Sequence, residues 1–382
     1  MKNIAVFFGG KSCEHDVSII TGVLTLNCVN GELFSVIPIY IDRFGLWYTG
    51  DSLSDVSFYK NLDYKKLKRV TMQCGSDVLY TLSNNKLKKL AVLSCAINCV
   101  HGLNGEDGSL AGLLQLCQVP LVGSDVFSSS FSMDKDFTKV VLSGLNVEKL
   151  AYVRLFKDLF YSKTELAVKL IEKKFNYPVI IKPARLGSSI GVIPCKNKEE
   201  LINNLKIAFK YDSKIIVEEY LQNFREINCA CYKNGDEIVI SQCEEPITAN
   251  EILSFKDKYL SAINQGEIEK KFPADIPKEI SNKIRAITQR IYRKCDFSGV
   301  IRIDYILHNN KIYVNEINSI PGSLAYYLFS DTLKGFSNLL TNLINSAIIK
   351  KLNELNLEYN YSSNVLQIDS VKGGKAKRVD KK

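Results

Sequence analysis

Arg302-Ile-Asp304-Tyr-Ile-Leu-His308-Asn309-Asn310-Lys311-Ile-Tyr-Val-Asn315-Glu316-Ile-Asn318, continuing into Ser319-Ile-Pro321-Gly322, is the most informative stretch of this chain. Ile301, Ile303, Tyr305 and Leu307 alternate with Arg302, Asp304 and Ile306, and Ile312, Val314, Glu316 and Asn318 share one parity on the return run. Such period-two patterning predicts a pair of strands. Residues directly opposite in an antiparallel pair point to the same face, so the connecting loop determines whether Asp304 and Glu316 meet. A two-residue turn would separate them. A three-residue loop of Asn309, Asn310 and Lys311, with an asparagine tolerating the left-handed conformation, sets Asp304 opposite Glu316, Arg302 opposite Asn318 and Ile306 opposite Val314.

One strand face then carries a cation, two carboxylates and a carboxamide. Carboxylate and carboxamide oxygens are hard ligands suited to Mg²⁺, which usually shares its shell with water and substrate phosphates. Arg302 beside them suits an anion. A surface hairpin with cross-strand ion pairs explains any one of these residues taken singly. It explains the set poorly, because acids among aliphatic strand positions are costly unless paired or metal-bound.

Length and composition bound the rest. The chain has 382 residues, too many for one ordinary core, and its 46% hydrophobic and 24% charged content is that of a water-soluble protein with two or three domains. No apolar run reaches the roughly 18 residues of a membrane span, and Met1-Lys2-Asn3 leads directly into the strand-like Ile4 to Phe8, so neither a signal peptide nor a membrane segment is expected. The net charge of +9 raises nucleic-acid binding, but Ser370 to Lys382 alone holds six basic residues and one acid. That tail has no apolar face to bury and is expected to be disordered and solvated. Eleven cysteines, an odd number dispersed through a long chain, argue against a disulfide scaffold. Cys95, Cys99, Cys117, Cys229 and Cys231 lie in apolar runs, where thiols act as small hydrophobes, and three histidines with no CxxC pair make zinc improbable.

The first part alternates strand and helix: a strand at Ile4 to Phe8, the Gly9-Gly10 turn, a helix from about Val17 to Cys28, a strand at Phe34 to Ile41, an apolar run at Leu90 to Val100, and a helix from about Ser109 to Cys117. This is the logic of an open, largely parallel Rossmann-like sheet, in which ligands bind beyond the carboxyl ends of the strands, where Gly9-Gly10 and His101-Gly102 fall. Helices follow near Lys135 to Leu142, Lys163 to Phe175, Lys198 to Phe209, Lys278 to Cys295 and Phe336 to Leu352. Strands are expected at Val179 to Lys182, Ile215 to Glu219, Glu226 to Tyr232 and Glu237 to Gln242.

Several segments bear chemistry. Val179-Ile-Ile-Lys182-Pro-Ala-Arg-Leu-Gly187-Ser188-Ser189-Ile-Gly191 puts a lysine at a strand end before a turn rich in backbone donors, which suits phosphate, although a plain glycine turn would look alike. Glu218-Glu219-Tyr220-Leu221 exposes two acids after three aliphatics, with Glu226 shortly beyond, and such acids accept from an adenine amino group or ribose hydroxyls unless they are merely a solvated strand end. His101-Gly-Leu-Asn-Gly-Glu106-Asp107-Gly108 closes an apolar strand with one of the histidines, and Glu14 in Gly9-Gly-Lys-Ser-Cys-Glu14 either serves a ligand or simply favours a helix N-terminus. Both loops are expected at one edge of the sheet.

In order and spacing, GGKSCEHDVS, HGLNGEDGSLAG, VGSDVFSSSFSMDKDFTK, VIIKPARLGSSIGV, IVEEYL with Glu226, FKDKYL, IRIDYIL and VNEINSIPG resemble the D-alanine:D-alanine ligases of the ATP-grasp superfamily, from the first strand to about Leu352. The resemblance implies an α/β chain, α+β in its ATP-grasp part. Its divisions would be a Rossmann-like N-terminal domain over 1–122, a central ATP-grasp subdomain over 123–212, a C-terminal subdomain with the metal site over 213–360, and the basic tail over 361–382. It further implies that Lys135 and Lys182 hold ATP phosphates, that Glu218, Glu219 and Leu221 frame the adenine, that Glu226 binds the ribose, and that Lys258 covers the phosphates. Asp304, Glu316 and Asn318 would bind two Mg²⁺, with Mn²⁺ as a substitute. Tyr259, Ser188 and Glu14 would form a hydrogen-bonded triad, His101 would lie near the first D-alanine carboxylate, and Arg302 with the Gly322 amide would stabilise an oxyanion.

The implied reaction joins two D-alanines through an acyl phosphate for peptidoglycan precursor synthesis, in a cytoplasmic homodimer. One departure concerns the second substrate. The family usually places a serine four to five positions beyond the Pro-Gly glycine, whereas Gly322 is followed here by Ser323-Leu-Ala-Tyr326-Tyr327-Leu328, which makes Tyr327 and Leu328 the residues of that pocket. A different acceptor such as D-serine is the alternative, and a non-catalytic nucleotide- or nucleic-acid-binding protein the remaining one.

Overall fold

In the computed structural model, described over residues 1–247, 270–358 and 361, the chain forms three main sheets. The first contains β1 (Lys2–Gly9), β2 (Phe34–Ile41), β3 (Trp47–Thr49), β4 (Lys68–Met72), β5 (Val78–Ser83), β6 (Lys86–Val92), β7 (Cys95–Asn98) and β8 (Leu121–Val122), in the order β6-β5-β4-β3-β2-β1-β7-β8. Strands β2, β1, β7 and β8 are parallel, while β3 to β6 extend the sheet as an antiparallel meander. The expected largely parallel sheet is thus parallel in one half only. The apolar run from Leu90 to Val100 is likewise two strands, because Leu93 and Ser94 break from β6 before β7 enters beside β1.

The central strand β1 reads Ile4-Ala-Val-Phe-Phe8 with every side chain fully buried, as a strand covered on both faces must be. Since β1 and β7 run parallel, Gly9-Gly10 and the His101 loop leave the same edge. Helix α1 (His15–Cys28) follows the first of these loops and α2 (Ser109–Leu116) the second.

The second sheet holds β9 (Tyr152–Phe156), β10 (Val179–Pro183), β11 (Ile193–Cys195) and β12 (Lys214–Glu219), antiparallel throughout, in the order β11-β10-β12-β9. Strand β12 pairs with both β10 and β9, so this sheet runs past residue 212, where the central subdomain was expected to end. In the other direction Phe131, Leu142 and Val147 pack into the core of the third sheet. They belong to α3 (Val126–Met133), to α4 (Lys135–Gly144) and to the turn after it. Asp125 and Asp134 cap these helices by accepting from Ser128 N at 2.8 Å and Asp136 N at 3.1 Å.

The third sheet has the order β14-β13-β17-β18, from β13 (Arg225–Asn234), β14 (Glu237–Ile240), β17 (Val300–His308) and β18 (Lys311–Asn318). A separate ribbon pairs β15 (Glu245–Pro246) with β16 (Lys270–Lys271). The helix Lys278–Lys294 turns Ile284, Ile287, Thr288 and Ile291 to the core at helical spacing. The last helix, Leu333–Leu355, returns to the first domain, where Phe336, Leu340 and Ile344 join the core that contains Val6 and Phe8. Among the described residues no helix is long and apolar enough to cross a membrane.

The hairpin of β17 and β18 sets Asp304 opposite Glu316 and Arg302 opposite Asn318, by a route other than the expected three-residue loop. Only Asn309 and Asn310 form the turn, both with positive φ (49° and 59°), as a two-residue hairpin of that hand requires. His308 therefore pairs with Lys311, and Ile306 faces Tyr313 rather than Val314. A bulge then lets Asp304 and Tyr305 face Glu316 and Val314, leaving Asn315 as the extra residue and restoring the parity that the short turn would have lost.

Candidate active site

A cavity of about 730 Å³ lies where the three sheets meet, with Glu14, His101, Ser188, Glu226, Arg302, Asp304, Glu316, Asn318, Gly322 and Tyr327 in its walls. The loops after the parallel half of the first sheet supply one side of it. Glu14, 7% exposed, accepts from the Ser188 hydroxyl across the domain boundary. The Gly187 backbone runs so close that a Cβ there would stand 2.9 Å from Glu14 Oε1, and Ser188 and Ser189 follow with φ of 52° and 58°. A larger residue there would have to displace the Glu14 carboxylate. Ser12 bridges the two loops, its Oγ accepting from Glu14 N at 3.1 Å and donating to the His101 carbonyl at 2.8 Å.

His101 is 4% exposed, and its Nε2 lies 2.9 Å from Thr21 Oγ1. Burial pulls its pKa down to about 4 against a hydrogen bond that the ring donates to the Ile320 backbone, so the ring is neutral near pH 7. Thr21 Oγ1 also accepts from Ser323 N at 3.1 Å, which ties the first domain to the turn after Pro321. That turn spans Gly322–Leu328 and holds Ser323, Leu324 and Ala325 in left-handed conformations with φ of 48° to 51°, which non-glycine residues adopt only when packing enforces it. Leu324 and Ala325 are buried and enforce it here.

Glu106 was not singled out, although the quoted loop motif contains it. Its Oε2 accepts from Gly102 N at 2.8 Å. Burial, followed by the charge of Glu14, pushes its pKa up to about 8, so it carries a proton near neutrality. The loop that brings it there passes so close to Val100 that no side chain fits at Gly105.

The opposite side is built from the second and third sheets. Lys135, at the start of α4, donates to the Leu186 carbonyl at 2.6 Å and stands 3.5 Å from Glu316 Oε2. Lys182, at the end of β10, donates to Asn315 Oδ1 at 3.1 Å, so the bulge that restores the hairpin register also aims its extra side chain at this lysine. Arg302 holds Asp304 with two hydrogen bonds of 2.7 and 2.9 Å, and Asn318 Nδ2 lies 3.1 Å from Asp304 Oδ2. Burial disfavours the Arg302 charge, but the Asp304 carboxylate outweighs it and keeps the guanidinium protonated.

Two expected positions require correction. Glu218 is not an exposed strand-end acid: it is 1% exposed and bridges Lys139 at 2.5 Å and Lys182 at 2.7 Å. Burial raises its pKa, yet the two ammonium groups more than offset this and bring it to about 2. Lys139, missed in the sequence, sits one helical turn after Lys135, a spacing that could have revealed it. The Leu328 side chain is 2% exposed and packs in the first core beside Phe336, because an apolar side chain at this turn gains more there than beside polar groups. Glu219 is exposed, Leu221 is half-buried, and Lys258 and Tyr259 lie outside the described residues.

The donor set on the hairpin fits a hard dication. Asp304 and Glu316 stand on one face with Asn318 beside them, and both carboxylates already draw the protein's own cations, Arg302 and Lys135.

The family described as D-ala D-ala ligase N-terminus matches residues 3–124, and its C-terminal counterpart matches 141–348. The D-alanine–D-alanine ligase of Thermosipho melanesiensis is 38% identical over 366 residues, covering 91% of this chain and 94% of that protein. Among solved structures, the D-alanine-D-alanine ligase from Coxiella burnetii superposes with a TM-score of 0.77 at 27% identity, covering 93% of this chain and 96% of that one. The VanG D-Ala:D-Ser ligase from Enterococcus faecalis gives 0.75 at 30% identity, covering 91% and 99%. With both halves of the family matched in order and the cavity lying at their junction, this chain belongs to the D-alanine–D-alanine ligase family of ATP-dependent ligases.

Proposed function

We propose that this protein uses ATP to join two D-alanines through an acyl phosphate, for peptidoglycan precursor synthesis in the cytoplasm, and works as a homodimer. The observation that carries the reaction is the cavity itself, which sets Glu14 and Ser188 across from the Arg302, Asp304 and Glu316 face. Glu14 offers a carboxylate to an ammonium, and Lys135, 3.5 Å from the cavity-lining Glu316, offers a charge to phosphate, as ligation of an amino acid by ATP requires.

Lys135 and Lys182 receive the ATP phosphates as point charges, and Glu226 faces the ribose. Glu218 holds Lys139 and Lys182 in place rather than contacting adenine, which leaves Glu219 and the Tyr220-Leu221 segment after it to frame the base. Asp304, Glu316 and Asn318 would hold Mg²⁺, which when bound supplies Lewis-acid neutralisation of the phosphate charge. Glu14, oriented by Ser188, positions the ammonium of the first D-alanine, and neutral His101 lies near its carboxylate. That carboxylate attacks the γ-phosphorus of ATP, giving the acyl phosphate and ADP. The amine of the second D-alanine then attacks the acyl carbon, and phosphate leaves. Arg302 and the Gly322 amide stand where negative charge gathers on the oxygen of the tetrahedral intermediate.

D-Serine as acceptor is the second candidate, favoured by tyrosine at the acceptor turn and by likeness to a D-Ala:D-Ser ligase. Phosphate release with D-alanine as donor and D-alanine, D-serine or D-lactate as acceptor tests this. Fastest turnover with D-alanine is expected. Use of D-lactate without D-alanine would contradict it.

A further inference from the structure

Helix α1 reaches the cavity with Thr21, and the loop after β7 reaches it with His101, beside Ile320, Pro321, Gly322 and Ser323. Both side chains are buried, at 1% and 4% exposure. Ser323 N donates to Thr21 Oγ1 at 3.1 Å, and the His101 ring donates to the Ile320 backbone. A neutral imidazole carries a single N–H. With that proton given to Ile320, Nε2, 2.9 Å from Thr21 Oγ1, accepts the proton of the Thr21 hydroxyl. The result is one directed chain, from Ser323 N–H to Thr21, from Thr21 O–H to His101, and from the His101 N–H to Ile320.

The two ends of this chain grip the backbone on either side of Pro321-Gly322. Between them, Leu324 N donates to the Pro321 carbonyl at 2.9 Å. That carbonyl belongs to the same planar peptide as the Gly322 N–H, so holding the one fixes the direction of the other. The Pro321 ring restricts the remaining freedom, with φ at −68°. The Gly322 amide therefore has fixed flanks and a fixed plane, and the flanks are fixed by side chains of the first domain.

We propose that Thr21 and His101 are positioning residues for the oxyanion site, clamping the backbone on both sides of Pro321-Gly322 and so aiming the Gly322 amide at the oxygen of the tetrahedral intermediate. The inference rests on the ligase reaction and the Gly322 role proposed above. A donor already aimed needs no reorientation as charge develops, so the clamp lowers the barrier of the second half-reaction. It acts after the acyl phosphate has formed, and its effect falls on kcat for ligation rather than on binding of either amino acid.

The test compares the full wild-type chain with Thr21→Val, Thr21→Ala and Thr21→Ser, using D-alanine and ATP. Valine and alanine remove the hydroxyl with and without the branched bulk, which separates its effect from packing, and serine keeps it. Both hydroxyl-free variants are expected to lower the ligation kcat by about tenfold while each D-alanine KM stays within about twofold. The first half-reaction is read separately, as positional isotope exchange in ATP at D-alanine concentrations that fill only the donor site, and it should change by less than about twofold. Thr21→Ser is expected to recover most of the lost kcat. Isotope exchange falling in step with ligation in both hydroxyl-free variants would overturn the inference, as would a raised KM at unchanged kcat, undiminished ligation, or no recovery with serine. Absence of any dipeptide from the wild type would instead contradict the ligase reaction itself.

Discussion

Glu106 lines the cavity while Glu218 lies between Lys139 and Lys182, and the two are in opposite charge states. Beside the cavity, burial and the neighbouring Glu14 push Glu106 up to about 8. Among the lysines Glu218 is the more buried by exposure, yet Lys182 and Lys139 bring it down to about 2. Burial alone would have raised both. The partners determine the sign: around Glu218 cations and carboxylate balance each other, whereas around Glu106 acids are crowded together.

The widest consequence of this contrast is in stability. Glu218→Gln leaves two lysine ammonium groups, at 3% and 11% side-chain exposure, without their shared counter-charge. A loss of about 3 kcal/mol or more is expected in denaturant unfolding. Since the native pKa lies below the ordinary 4.5, the stabilisation is present above that pH and is lost as pH falls toward 2. An unfolding curve for Glu218→Gln matching the wild type at pH 7 would break the comparison.

Next in size is Glu316→Ala, which removes a carboxylate from the hairpin face and should lower phosphate release by more than about a hundredfold. Near-normal turnover would exclude this face from the chemistry. Arg302→Lys should cost about tenfold or more in kcat/KM, because a point charge cannot reproduce the fork that grips Asp304 at two oxygens.

The smallest effect is also the sharpest. Glu106 is already protonated at neutral pH, so Glu106→Gln should keep activity at pH 7 within about twofold of wild type while removing an alkaline limb near pH 8. Its native pKa lies above the ordinary 4.5, so the wild-type stability it supports is full below that pH and is lost as pH rises through 8. Melting scans between pH 6 and 9 should therefore fall more steeply for wild type than for Glu106→Gln. Identical slopes would remove Glu106 from the account.

Local patterning made much of this legible. Period-two alternation located β17 and β18, and the Gly-rich strings located the loops around Glu14, His101 and Ser188. The hairpin shows the limit, since its register came from a two-residue turn plus a bulge at Asn315, and parity arguments treat that sum as equivalent to a three-residue loop. Glu218 was misplaced because burial by lysines from another strand and from a helix leaves no trace in its own neighbours. The meander from β3 to β6 has short strands that are half-exposed or exposed at nearly every position, so no strong apolar run announced it.

The most direct test of the central claim is product stoichiometry with the purified full chain, D-alanine and ATP. One D-alanyl-D-alanine, one ADP and one phosphate per cycle are expected, with no turnover when either substrate is omitted. ATP hydrolysis without dipeptide, or dipeptide formed without ATP, would contradict it.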